Sequence, residues 1–409
     1  MTSGFARPHG VKRSGTSARL SLVLLLYFLG IVAVITLAPF RFSVPRDMNV
    51  MVTGDAFDIV ANVLLFLPLG FLYPLTRPLE DEPSPVRVLL LGAVMSATIE
   101  GVQLFEVQRF SSVVDVVTNA VGAAIGALLL RAITRRIRVN AQLVGRLNLE
   151  IPLVGLVYLL VPLLLVASLS AVSQHVRIVT LIPLGMVGAR LLSSLQRHHF
   201  GPAGLASVRT MTVVAGAWMV IGSFPVLIAY PVSGLSLVVM VMLMTWHETS
   251  RPSFHASERR FEADALRSAT PYIAVYFVAM VLFPLALGVA PWRWAIWLTG
   301  SGDNLTQQQL RLLEPVASLT VLGYLLAEAR GRLELPFRQI IRRVSVECGL
   351  VALAIEISRG FQRETGASVS QFVLMLAAST LGAAIYHHQR EHVQWILAHR
   401  PGVTRSAYP

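Results

Sequence analysis

Five polar residues, Glu100, Gln103, Arg109, Asp115 and Asn119, stand inside or beside two long apolar runs in the stretch IEGVQLFEVQRFSSVVDVVTNAVGAAIG (Ile99–Gly126). Upstream, Asp58 and Asn62 are spaced i, i+4 in another apolar run, which puts them on one helix face. These residue types allow several kinds of chemistry. An arginine can hold a phosphate or carboxylate through charge-assisted hydrogen bonds, and carboxamides can bind sugar or peptide groups. Two carboxylates such as Glu100 and Asp115 could divide general-acid and general-base roles if burial raised the pKa of one. Carboxylates at membrane depth could also relay protons in a transporter. Ionisable groups there are costly, so each is a functional candidate facing protein or a wet cavity. The competing reading is structural: interhelical polar pairs contribute about 0.6 kcal/mol each, and Arg41 and Arg109 could simply neutralise the three carboxylates.

The elements that must position these residues are membrane helices. The chain of 409 residues is 55% hydrophobic and 14% charged, with mean hydropathy +0.65; soluble domains carry about 25% charged residues. Apolar runs long enough to span a bilayer recur along its length, and the alternating ten-residue strands of a membrane β-barrel are absent. The sequence therefore predicts an all-α polytopic membrane protein. Runs bounded by charge, Pro or Gly give about twelve spans in three groups of four. They fall at 20–40, 56–76, 87–106 and 112–131; at 151–173, 177–196, 208–229 and 231–246; and at 270–290, 309–327, 344–361 and 367–386. The run 231–246 is short enough to be re-entrant. Leu20–Phe40 is too long for a signal core and reads as a retained first helix.

Arginine placement sets the orientation. One set of segments is basic, including Arg7, Lys12 and Arg13, then Arg131, Arg135, Arg136 and Arg138, then Arg251, Arg259 and Arg260, then Arg330, Arg332 and Arg338. The alternate loops hold few, and PWRWAIW (Pro291–Trp297) suits an outer membrane–water interface. Both termini are thus expected in the cytoplasm. This topology brings Asp58 and Asn62, Glu100 and Gln103, and Asp115 and Asn119 to the same extracytoplasmic depth on three helices, with Arg41 and Arg109 beside them. The net charge of +12 is accounted for by these loops, so nucleic acid is not an expected partner.

Other features have structural readings. Gly122 and Gly126 form a GxxxG pattern that permits close helix packing, and Pro68 and Gly70 bend or closely pack their helix. The histidines lack metal-ligand spacing, so no metal site is expected. The single cysteine, Cys348, excludes an internal disulfide and any multi-cysteine site. There is no P-loop, dinucleotide fingerprint or serine elbow, and no cofactor is implied.

Taken together, ITLAPFRF, DIVANVLLFLPLGFL, ATIEGVQLF and RFSSVVDVVTNAVGAAIG resemble the VanZ-like membrane proteins. In that pattern N-x-x-x-F-x-P-x-G is followed by an E-x-x-Q-x-F helix, an Arg, and D-x-x-x-N-x-x-G-x-x-x-G. Asn62, Phe66, Pro68, Gly70, Glu100, Gln103, Phe105, Arg109, Asp115, Asn119, Gly122 and Gly126 fill those places across 20–133. The resemblance implies a multi-pass protein of the bacterial cytoplasmic membrane and a link to teicoplanin-type tolerance. It implies no enzymatic activity.

The last four spans read as a decayed copy of the first four. AIEISRGFQ matches Glu356 with Glu100; VLGYLLAE matches Gly323 with Gly70; LAASTLGAAIY matches Gly382 with Gly122 and Ser379 with Asn119, leaving Met375 opposite Asp115. LIPLGMV in the middle group is a weaker echo. The expected organisation is a basic N-terminus (1–19), a VanZ-like unit (20–133), a middle unit (134–269), a degenerate unit (270–389) and a tail (390–409), arranged as parallel repeats. The functional expectation is an outward-facing site of Asp58, Asn62, Glu100, Gln103, Arg109, Asp115, Asn119 and Arg41. It would bind a lipid-linked or glycopeptide-like amphiphile at the cell envelope, with membrane lipids as further partners. A proton-coupled transporter is the alternative, and an enzyme on lipid-linked substrates the least supported, because no nucleophile or metal set defines a reaction.

Overall fold

The computed structural model describes residues 15–37, 42–43, 50–51, 56–77, 83–106, 111–139, 152–200, 207–251, 258–286, 289–296, 305–331, 336–362 and 366–398. In chain order these form α1 (Gly15–Leu37), β1 (Val50–Met51), α2 (Ala56–Leu72), α3 (Pro85–Gln103), β2 (Ser111–Ser112) and α4 (Val113–Val139). Next come α5 (Pro152–Ser173), α6 (Leu181–Leu195), α7 (Val208–Gly222), α8 (Phe224–Ala229) and α9 (Pro231–Thr249). The last group is α10 (Glu258–Ala286), β3 (Trp294–Ala295), α11 (Leu305–Gly331), α12 (Phe337–Gly360), β4 (Ala367–Ser368) and α13 (Val369–Ala398).

Among the described residues, nine helices are long and apolar enough to cross a membrane, which makes this a multi-pass membrane protein. Three of the expected spans fall outside the nine for identifiable reasons. The apolar part of the second is the short stretch Leu65–Thr76. The run 208–229 is broken at Ser223 into α7 and α8, because Pro225 stands in the first turn of a new helix. Helix α12 is long enough but rich in charge near its start, with Arg338, Arg342 and Arg343. The expected span 231–246, short enough to leave re-entry open, is one continuous helix, α9, and counts among the nine. Both chain termini lie outside the described residues.

The chain divides into two compact units, one built around 42–148 and the other around 149–387. In the first unit, Phe66, Leu69, Val88, Ala123 and Ala127 form a buried core among α2, α3 and α4. A cap starts α3: Ser84 Oγ accepts from the Arg87 N–H at 3.3 Å, with Pro85 at the first helical position. Helix α4 runs parallel to α2 and so close that a Cβ on Gly126 would sit 2.0 Å from the Leu67 carbonyl oxygen, and one on Gly122 2.3 Å from that of Val63. Only glycine permits that approach. Helix α3 runs antiparallel to α4, with Gly92 against Ala120 and Ala123.

In the second unit, α5 packs against α11 and α6 against α10, so the middle and last helix groups share one core. Helix α13 lies as close to α11 as α4 does to α2: a Cβ on Gly382 would meet the Thr320 carbonyl oxygen at 2.1 Å, and one on Gly323 that of Ser379 at 2.0 Å. In the middle group, Gly185 faces the side chains of Val241 and Met219 rather than a helix backbone.

Candidate functional site

Two short parallel pairings start the site. β1 pairs with β2 (Val50 with Ser111, Met51 with Ser112), so the segments leading into α2 and α4 are joined at one end of the first unit. An antiparallel bridge between Phe42 and Glu106 and a Ser43 N–H to Phe105 carbonyl bond of 2.7 Å fasten the segment after α1 to the end of α3. These pairings bring the first turns of α2 and α4 and the last turn of α3 to a common level.

Glu100 is buried there, and its Oε2 accepts from the Ser112 backbone N–H at 2.6 Å. A carboxylate receiving a backbone donor at that length is a strong charge-assisted bond. One turn earlier on α3, Ser96 Oγ accepts from Asn119 Nδ2 at 2.9 Å and donates to the Asp115 carbonyl at 3.5 Å. Ser112 Oγ accepts from the Asp115 N–H at 3.3 Å and so caps α4. The Asn119 amide is oriented by its bond to Ser96, yet its Oδ1 is buried and has no hydrogen-bond partner among the described residues. Asp115 is half-buried; among the described residues its hydrogen bonds run through its backbone, and its carboxylate has none.

The remaining expected residues divide. Gln103 is buried one turn beyond Glu100. Asp58 is exposed and Asn62 half-buried in the first turns of α2, at the level of the Asp115 turn because α2 and α4 run parallel. Arg41 and Arg109 lie outside the described residues. Sequence reasoning missed Ser96, Ser112 and Glu106. Ser96 sits i, i+4 from Glu100 on one helix face, a signal legible once Glu100 is fixed. Glu106 is buried beside Gln103, its N–H bonded to the Gln103 carbonyl at 2.9 Å.

The family model VanZ/LLP1 matches residues 5–135. That match takes in the residues of this site, with α2, α3 and all but the last turn of α4. No curated protein and no solved structure matches the chain. The matched portion is about a third of the sequence.

The second unit contains the same bonds. Glu356 Oε2 accepts from the Ser368 N–H at 2.7 Å, and Ser368 Oγ from the Gln371 N–H at 3.4 Å. β3 pairs in parallel with β4, Val289 bridges Gln362, and the Ala290 N–H donates to the Phe361 carbonyl at 2.7 Å. Each α12–α13 residue lies 256 positions beyond its partner in the VanZ/LLP1 portion, and each α11 residue 253 beyond its α2 partner. These contacts correct three sequence matches. Ser379, whose carbonyl faces Gly323, occupies the place of Ala123, whose carbonyl faces Gly70, and not that of Asn119. Gly382, which faces Thr320 and Tyr324, occupies the place of Gly126, which faces Leu67 and Phe71, and not that of Gly122. Gln371, not Met375, stands where Asp115 stands.

The charge differs at these places, being more positive in the second unit. Arg311 takes the place of Asp58, Arg359 that of Gln103, and Gln371 that of Asp115, while Glu356 keeps that of Glu100. Arg359 pairs with Glu356 at 3.4 Å and donates to the Arg311 carbonyl at 3.2 Å, which also accepts from Gln371 Nε2 at 2.7 Å. Arg177, before α6, pairs with buried Glu314 at 2.7 Å. Here the arginines bind the carboxylates directly, and Gln371 Oε1, like Asn119 Oδ1 in the first unit, is buried with no hydrogen-bond partner among the described residues. Among the described residues, no group of three or more His, Cys, Asp or Glu is arranged to hold a metal.

Proposed function

We propose that the VanZ/LLP1 portion carries an outward-facing binding site for the polar head of a lipid-linked or glycopeptide-like amphiphile of the bacterial envelope, and thereby influences tolerance to teicoplanin-type antibiotics. The supporting observation is the asymmetry of the polar groups around Glu100. Glu100 is secured to the Ser112 backbone, while Asn119 Oδ1 and the Asp115 carboxylate have no donor among the described residues. A buried acceptor without a donor costs about 1–3 kcal/mol, and a ligand rich in N–H and O–H groups, as sugars and peptides are, would supply the donors. Arg41 and Arg109 complete the proposed site and would meet phosphate or carboxylate on the same ligand.

The reading places the protein in the cytoplasmic membrane with twelve spans and both termini inside. It treats the last four helices as a parallel copy of the first four, supported by the recurrence of the Glu–Ser bond, the strand pairing and the glycine contacts at constant offsets. The chain's one cysteine, Cys348, is buried, so single-cysteine labelling gives a direct test. Asp115→Cys in a Cys348→Ala background should react with a membrane-impermeant thiol reagent added outside intact cells, and added amphiphile should slow the reaction. Labelling only after the membrane is permeabilised would refute the outward site.

A further inference from the structure

Helices α6, α9 and α10 of the second unit are each among the candidate spans, and they leave a groove of about 960 Å³ between them. Its walls include Met186, Val239, Met240, Leu243, Met244 and Val275, with Leu243 65% exposed and Val275 57%. From Leu235 to His247 the α9 wall is about 18 Å long at 1.5 Å per residue, comparable to half of a hydrocarbon core of about 30 Å. One acyl leaflet therefore matches the groove in both depth and polarity.

One end of the groove is not apolar. It is closed by His247 and Tyr272, and both side chains lead into a basic cluster. Arg251 Nη2 lies 3.0 Å from His247 Nε2, and Arg190 Nη2 donates to Tyr272 Oη at 3.5 Å. The same two arginines hold Glu248 from either side, Arg190 at 2.8 Å and Arg251 at 3.2 Å. Arg197, in the turn after α6, is electrostatically coupled to all three. Two arginines thus share one carboxylate with the charge of Arg197 nearby, and the Nε atoms of Arg190 and Arg197 are buried with no hydrogen-bond partner among the described residues. A tryptophan-free apolar trough ending in surplus guanidinium charge is complementary to an amphiphile with a negative head.

We propose that this groove seats one anionic membrane phospholipid, its acyl chain between α6, α9 and α10 and its phosphate at Arg190, Arg197 and Arg251. Guanidinium groups suit phosphate geometry, and each arginine near a membrane surface strengthens attraction to anionic lipid by about fivefold. The site is separate from the VanZ/LLP1 portion and makes no use of its polar residues.

Native mass spectrometry of the purified full chain, offered phosphatidylglycerol, phosphatidylcholine or glycerol 3-phosphate, tests the proposal. The expected result is one tightly retained phosphatidylglycerol, preferred over phosphatidylcholine, with no competition from glycerol 3-phosphate at equal concentration. Arg251→Gln, at a half-exposed side chain, should weaken that preference by about fivefold, and Leu243→Trp, which fills the trough without touching the charges, should lower retention of both lipids. Equal retention of the two lipids, or a preference unchanged in folded Arg251→Gln, would overturn it. Displacement by glycerol 3-phosphate alone would reduce the site to a headgroup contact and equally refute the seated lipid.

Discussion

The Ser112 backbone N–H donates to Glu100 Oε2 at 2.6 Å, and this bond ties the last turn of α3 to the strand that opens α4. The same bond joins Ser368 to Glu356 at 2.7 Å in the second unit. In both, a buried carboxylate does the work of a fastener as well as of a charge. Its surroundings then differ: Glu356 is paired with Arg359, whereas the Asp115 carboxylate and Asn119 Oδ1 have no donor among the described residues.

Glu100→Ala leaves the Ser112 N–H buried without its acceptor, a loss of about 1–3 kcal/mol. Thermal unfolding of the purified protein in detergent should show a lower midpoint for Glu100→Ala than for Glu100→Gln, which keeps an acceptor oxygen. Equal midpoints for the two variants would mean that the bond contributes nothing.

The glycine contacts make a paired prediction. Gly126→Ala and Gly382→Ala each drive a methyl group into a helix backbone, at 2.0 and 2.1 Å from a carbonyl oxygen, so the helices must separate. Each should cost about 1–3 kcal/mol and lower the amount of protein recovered from membranes. Gly30→Ala and Gly101→Ala, whose methyl groups meet nothing within 4 Å, should leave recovery unchanged.

Arg177 and Glu314 form a pair with the carboxylate almost fully buried. Removing one partner strands the other, at about 3–5 kcal/mol for a buried pair, with less expected here because Arg177 is one-fifth exposed. A double-mutant cycle on unfolding midpoints should show Arg177→Gln with Glu314→Gln more stable than the sum of the single changes. Additive losses would argue that the contact is incidental.

Much of this arrangement was legible in the sequence. Class followed from hydropathy, and the VanZ-like pattern followed from Asn62, Glu100, Asp115 and the glycines around them, which recur at fixed spacings. The register of the second unit was not. The letters GAAI occur at both Gly122 and Gly382, so matching by residue type aligns those glycines. The physical constraint is instead a glycine opposite a carbonyl on the neighbouring helix, and Gly126 and Gly382 share it. The neutral Gln371 at the place of Asp115 was hidden by the same slip. Ser96 shares a helix face with Glu100, but serines are common in such segments, and the bonds of Ser96 and Ser112 appear only when α3 and α4 are laid antiparallel. The breaks at Ser223 and the charged start of α12 show why a count of apolar runs and a count of membrane-length helices differ.

The central claim is that the first unit holds a working site and not only polar glue. Its most direct test is antibiotic tolerance of a bacterial host expressing Asp115→Asn at membrane abundance matched to the unaltered protein. Asp115→Asn keeps the backbone cap on Ser112 and removes only the open carboxylate. The expected result is a changed teicoplanin-type tolerance at equal abundance and equal unfolding midpoint. Tolerance that follows abundance alone, with no residual effect of the substitution, would contradict it.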